Sequence, residues 1–189
     1  MTTERSYHHG DLRRALLDAA LEVVGEVGPA GLRLREVARR AGVSHAAPAH
    51  HFGDLAGLLT ALAAEGHRKL ADALADVMAS TGSFLEVGVA YVGFATSHPA
   101  HFQVMFRPDL VHASDPELKA ALAAEAALLY PPAADVAGEG QRGVDAAVAA
   151  WSLVHGLATL WLAGVLPCQE GEDPEDLARR AASFLFGPP

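Results

Sequence analysis

Cysteine is almost absent: Cys168 stands alone in 189 residues. That excludes an intrachain disulfide framework and fits a reducing cytoplasm. Basic residues are scarce, with 14 Lys and Arg against 23 Asp and Glu. The opening stretch MTTERSYHHGDLRR lacks the apolar run of a secretory signal, so export by that route is not expected. There is no Gly-rich phosphate loop, no G-x-S-x-G elbow, no H-E-x-x-H pattern and no pair of catalytic carboxylates, so no catalysis is expected. His98, His101 and His112, near Asp109 and Asp115, come closest to a metal set. Pro99 interrupts the His98–His101 spacing, however, and solvated loop histidines are the plainer reading. Neither a metal nor a cofactor is expected.

What is abundant is apolar sequence, 51% of residues, enough to bury a sizeable core without cross-links. Charge is unevenly shared. Residues 1–54 carry seven Arg, seven acids and five of the ten His, whereas residues 55–189 carry seven Lys or Arg and sixteen acids. The whole net charge of −9 therefore belongs to the second part. An acidic body is repelled by nucleic acid, so only the N-terminal end suits that partner. The split predicts two domains, 1–54 and 55–189.

The first of these is organised around LREVARRAGVSHAAPAHHF, residues 34–52. Leu34, Val37, Ala38 and Ala41 recur at helical spacing. Gly42 follows where a helix stops in a left-handed conformation. Val43 can fill the gap between two helices and Ser44 can cap the second. Helix, glycine turn, capped helix is the helix-turn-helix arrangement, whose second helix enters a DNA major groove. On that helix Ser44, His45, Ala46, His50 and His51 are the expected DNA-facing residues. Arg33, Arg35, Arg39 and Arg40 flank the turn; Arg33 and Arg35 are the favoured phosphate contacts, and Glu36 can neutralise part of the set.

Through Leu34, Val37, Ala38, Ala41, Gly42, Val43, Ser44, His51 and Phe52 the segment closely resembles the DNA-binding domain of the TetR family of bacterial transcriptional regulators. The resemblance implies a three-helix domain completed by an upstream helix from Asp11, with Leu12, Leu16, Ala19, Val23 and Val27 as its apolar stripe. An N-terminal arm with Arg5, Tyr7, His8 and His9 offers further phosphate contacts. The chain also departs from the family pattern. Ala49 replaces an aromatic, usually Tyr, and Leu55 replaces a common Lys, two residues that reach phosphates. Arg33 replaces a Ser or Thr cap, and Pro48 removes an amide donor early in the second helix. The expectation is modest, salt-sensitive DNA affinity leaning on Arg33, Arg35 and three histidines, and stronger at mildly acidic pH.

The rest of the chain reads as helices. One runs from about Leu55 to Ala79, another from Phe84 to Ser97, and HPAHFQVMFRPDL is a short interrupted piece. Asp115-Pro116 starts a helix reaching about Leu129, followed by a loop over 131–142. The eighth helix, Val144 to Ala163, has no charged residue between Asp145 and Glu170. Apolar all round, it must be buried all round. A membrane span would satisfy that, but six alanines and two glycines dilute the run and no basic cluster flanks it. A helix held between its own core and a second subunit fits better, paired with a last helix from Pro174 to Phe186 carrying Leu177, Ala181, Phe184 and Leu185. The fold class is therefore all-α, about nine helices in two domains, located in the cytoplasm.

HPAHFQVMF followed by Trp151, His155 and Gly156 resembles the regulatory domain of a TetR subgroup named for that Trp-His-Gly motif. Tyr91, Phe94, Phe102, Met105, Phe106, Trp151 and His155 can line an apolar pocket with a few polar handles, though each also suits an ordinary core. Together the resemblances imply a homodimeric regulator, a repressor released from double-stranded operator DNA when a small apolar effector binds. The alternatives are a helical ligand-binding dimer of the same fold with weakened DNA recognition, and a small helical metalloenzyme.

Overall fold

A computed structural model of the chain describes residues 9–167 and 171–186. Arg5, Tyr7, His8 and Cys168 lie outside the described residues, as do the side chains of His9, Phe184 and Leu185. Among the described residues there are nine α-helices, one short 3-10 turn and no strand, so the all-α expectation is met. Two compact units divide the chain: residues 1–65 with 100–118, and residues 66–99 with 119–189.

The first unit holds α1 (His9–Val27), the 3-10 turn Pro29–Gly31, α2 (Leu34–Arg40), α3 (Ala47–Phe52), the first part of α4 (Leu55–Thr81) and α6 (Pro99–Met105) from Ala100. Its core joins Leu16, Ala20 and Val24 of α1, Val37 of α2, and Leu58 and Leu62 of α4, all without solvent exposure. Each fully buried Leu or Val contributes about 1.5–3 kcal/mol relative to exposure. The i, i+4 spacing of Leu16, Ala20 and Val24 explains why one face of α1 goes inward. A polar network fastens the same helices. Arg14 donates to Glu65 at 2.6 Å, and His101 of α6 meets the other oxygen of Glu65 at 3.1 Å.

The second unit holds the remainder of α4, then α5 (Phe84–Ser97), α7 (Pro116–Ala137) from Lys119, α8 (Gln141–Leu162) and α9 (Pro174–Phe186). Helix α5 packs chiefly against α9 and α8, and α8 also meets α9. Its start is capped, with the Glu86 amide donating to Ser83 Oγ at 3.3 Å. Arg179 of α9 grips Glu86 of α5 through two bonds of 3.0 Å, holding that carboxyl below the usual range.

One helical expectation needs correction. The stretch 131–142, read as a loop, is helical through Ala137, with Pro131 and Pro132 inside α7. Ala133 immediately after them is fully buried, so tertiary docking outweighs the amide donors the prolines lack. Helix α8 is not buried all round in the single chain. Gly143, Ala147, Val154 and Ala158 face inward, whereas Val144 is 45%, Val148 47% and Leu160 46% exposed. By length and composition α8 could cross a membrane.

Candidate nucleic-acid interface and regulatory interior

Helix α2 ends in a Schellman motif. Gly42 takes φ +68°, its amide donates to the Arg39 carbonyl at 3.2 Å, and the Val43 amide reaches back to Ala38 at 3.0 Å. These bonds satisfy the last carbonyls of α2 and turn the chain by a fixed angle. Val43, half-buried, then packs on the core, as do Ala41 and Phe52.

Ser44 does not cap the next helix. α3 begins at Ala47, after Ala46, and no side chain bonds its first amides. The cause is Pro48: proline is tolerated only in the first turn, and here it fixes where that turn begins. Ser44, His45, Ala46 and His50 are all exposed and His51 is half-exposed, so the five expected contact residues face solvent on the turn and α3. The His50 and His51 rings meet edge-on, 5.6 Å apart.

The arginines around the turn divide sharply. Arg39 bonds Glu36 at 2.6 and 2.9 Å. Arg40 clamps Glu26 of α1 at 2.6 and 2.7 Å, which ties α2 to α1 and lowers the Glu26 carboxyl. Arg33 folds back onto the Ala30 and Leu32 carbonyls at 2.9 and 2.8 Å. Arg35 is exposed. Arg33, Arg35, Glu36, Arg39 and His45 line an open surface concavity of about 480 Å³.

Behind α3, Asp54 Oδ1 accepts the Gly57 amide at 2.7 Å and lies 3.1 Å from His112 Nε2, contacts that lower its carboxyl. Gly57 is pressed against the end of α3: a Cβ there would stand 1.9 Å from the Phe52 carbonyl oxygen. Sequence reading missed this residue, since close backbone approach leaves no signal beyond the glycine itself.

In the second unit, four of the seven expected pocket residues are present, and three of them touch. The Tyr91 hydroxyl lies 2.8 Å from His155 Nδ1, and Trp151 Nε1 donates to that hydroxyl at 3.4 Å. Burial raises the Tyr91 pKa and lowers that of His155, the latter opposed by the charge of Glu125. Glu125 of α7 also meets the buried His67 of α4 at 2.5 Å. Neither His67 nor Glu125 was legible as a site residue, being 58 positions apart. Phe94 is buried and stacks on His98, centroids 4.6 Å apart. Phe102, Met105 and Phe106 belong to α6 or its end, in the first unit, where Phe102 and Phe106 pack edge-on at 5.2 Å. Among the described residues no group of three or more His, Cys, Asp or Glu side chains is arranged to hold a metal ion.

Helices linked by a glycine turn, with an exposed polar face and a second all-helical unit in the same chain, define a helix-turn-helix regulatory protein. Residues 16–62 match the family model "Bacterial regulatory proteins, tetR family", and residues 84–185 match "Tetracyclin repressor-like, C-terminal domain". The chain belongs to the TetR family, whose members are transcriptional regulators and not enzymes. It is 35% identical, with TM-score 0.78, to a protein of unknown function from Rhodococcus sp. RHA1, covering 97% of each chain. A bacterial regulatory protein of the tetR family from Rhodococcus RHA1 shares the fold at 20% identity and TM-score 0.70, over 93% of this chain and 95% of that one. The HTH-type transcriptional regulator BetI of Escherichia coli is 44% identical over 62 residues, a match spanning 33% of this chain and 32% of BetI.

Proposed function

We propose that the chain is a homodimeric repressor that binds a pseudo-palindromic DNA operator and leaves it when a small, largely apolar effector binds. Residues 1–54 would read DNA, and residues 55–189 would bind the effector and dimerise. The observation that carries this reading is the exposed face of Ser44, His45, Ala46, His50 and His51 behind a rigid Schellman turn, in a member of the TetR family. Two such faces about one helical turn apart would enter successive major grooves. Arg35 supplies a phosphate contact; Arg33 would do so after releasing its two carbonyls.

The exposed Val144, Val148 and Leu160 of α8 suit a second copy. That use of α8 also accounts for its length and apolarity in a soluble, cytoplasmic protein. Trp151, His155 and Gly156 support assignment to the Trp-His-Gly subgroup. The Tyr91–His155–Trp151 cluster supplies polar handles among the apolar residues Phe94, Val92 and Val154. An effector works here by binding one of two dimer conformations more tightly.

A gel-shift of duplex DNA from the region upstream of the chain's own gene, across a salt series, tests the reading. A shift that weakens steeply with salt is the expected result. No shift would favour a ligand-binding dimer without DNA recognition.

A further inference from the structure

Five of the seven arginines among the described residues of the first unit are already occupied. Arg14 is held by Asp18 and Glu65, Arg39 by Glu36, Arg40 by Glu26, Arg107 by Asp109, and Arg33 by backbone carbonyls. An arginine paired with a carboxylate adds no net charge to meet a phosphate, and releasing it costs the pair. Two arginines of this unit, Arg13 and Arg35, make no ion pair among the described residues.

Arg13 sits on α1, exposed, with its guanidinium carbon 5.3 Å from the centroid of the Phe52 ring at the end of α3. Phe52 is itself packed on the core and lies beside the His51 ring, 6.3 Å between centroids. The contact is with an uncharged ring and leaves the charge of the guanidinium in place. Its five N–H donors point outward from the edge, in the geometry that grips a phosphate with two bonds. The ring thus holds a cation at the end of the recognition helix without neutralising it.

We propose that Arg13 is a DNA phosphate anchor, positioned by Phe52 and standing in for the anchors that Ala49 and Leu55 do not provide. This rests on the DNA-binding reading above. One phosphate contact releases about 0.9 counterion from duplex DNA. Arg13→Ala is therefore expected to lower the slope of log affinity against log salt by about 0.9 and to weaken binding about eightfold near 0.1 M salt. The loss falls equally on upstream duplex and on duplex of random sequence, because a phosphate contact does not read bases.

The test is fluorescence anisotropy with both duplexes over a salt series, for the wild type, Arg13→Ala, Arg13→Lys and Arg107→Ala. Arg13→Lys keeps the slope, since it keeps the charge, and binds more weakly than wild type for want of two-bond geometry. Arg107→Ala, removing an exposed pair with Asp109, leaves the slope unchanged. Thermal melts check that each variant folds. Salt-sensitive wild-type binding with an unchanged slope in Arg13→Ala overturns the anchor alone. Absence of any salt-sensitive binding by the wild type overturns the anchor and the DNA-binding reading together.

Discussion

Tyr91 and His155, 64 positions apart, meet at 2.8 Å between a buried hydroxyl and a ring nitrogen. The contact joins α5 to α8, and Trp151 adds a third polar atom to it. Tyr91→Phe removes the shared partner and leaves two polar nitrogens short of one bond each. A loss of about 0.5–1.5 kcal/mol is expected for each lost bond, read as a lower urea midpoint at unchanged slope.

The same pair gives a pH dependence with a definite sign. Burial lowers the pKa of His155 from its ordinary 6.5. Just below that ordinary value the unfolded chain binds this proton and the folded chain does not. The His155 contribution is therefore complete above 6.5 and is lost as pH falls through the interval down to the lowered value. Comparing melting temperatures at pH 7.5 and 5.5, wild type should lose more on acidification than His155→Gln. Equal losses would remove His155 as the cause.

How much of this was readable from the sequence differs between the two units. The helix-turn-helix was legible because its signals are local: the apolar spacing of Leu34, Val37, Ala38 and Ala41, and a glycine at the one position needing a positive φ. The start of α3 was misread because a Ser was preferred to the stronger constraint of Pro48. α7 outran its expected end because the burial of Ala133 is tertiary and two prolines argue locally against it. The pairings Arg14–Glu65–His101 and His67–Glu125 were invisible, since their members lie 36 to 58 positions apart and a buried polar side chain is recognisable only beside its partner. Trp151, His155 and Tyr91, expected to line one pocket, meet one another, whereas α6 supplies its aromatic residues to the first unit.

Gly57→Ala tests the junction behind α3. The added carbon would collide with the Phe52 carbonyl, backbone that cannot swing aside. The first turn of α4 must shift away from α3, at a cost of about 1–3 kcal/mol. The expected result is a lower melting temperature together with weaker DNA binding, because α3 is displaced. A variant with wild-type stability and affinity would show the junction to be soft.

Val148→Glu places a charge on the exposed apolar side of α8, where Val148 is 47% exposed in the single chain. Folding of the single chain should be little changed, while burial of that charge against a second copy carries an uncompensated desolvation cost. Light scattering is expected to report a dimer for the wild type and a concentration-dependent shift to monomer for the variant. A variant that stays dimeric at low micromolar concentration would move the interface elsewhere.

Ala49→Tyr restores an aromatic where the family resemblance expects one. Ala49 is exposed on α3, one turn before Gly53, so a larger side chain meets no core. Its propensity cost in a helix is a few tenths of a kcal/mol, about 0.5. Against that, a hydroxyl near the DNA backbone adds a neutral hydrogen bond worth about 0.5–1.5 kcal/mol in complex. The balance favours tighter binding by a small factor. Because the added group carries no charge, the salt slope should stay where it is, which distinguishes this gain from one made by a new cation. Unchanged affinity would mean that the missing aromatic does not limit the grip, and that the charge held at Arg13 and Arg35 sets it instead.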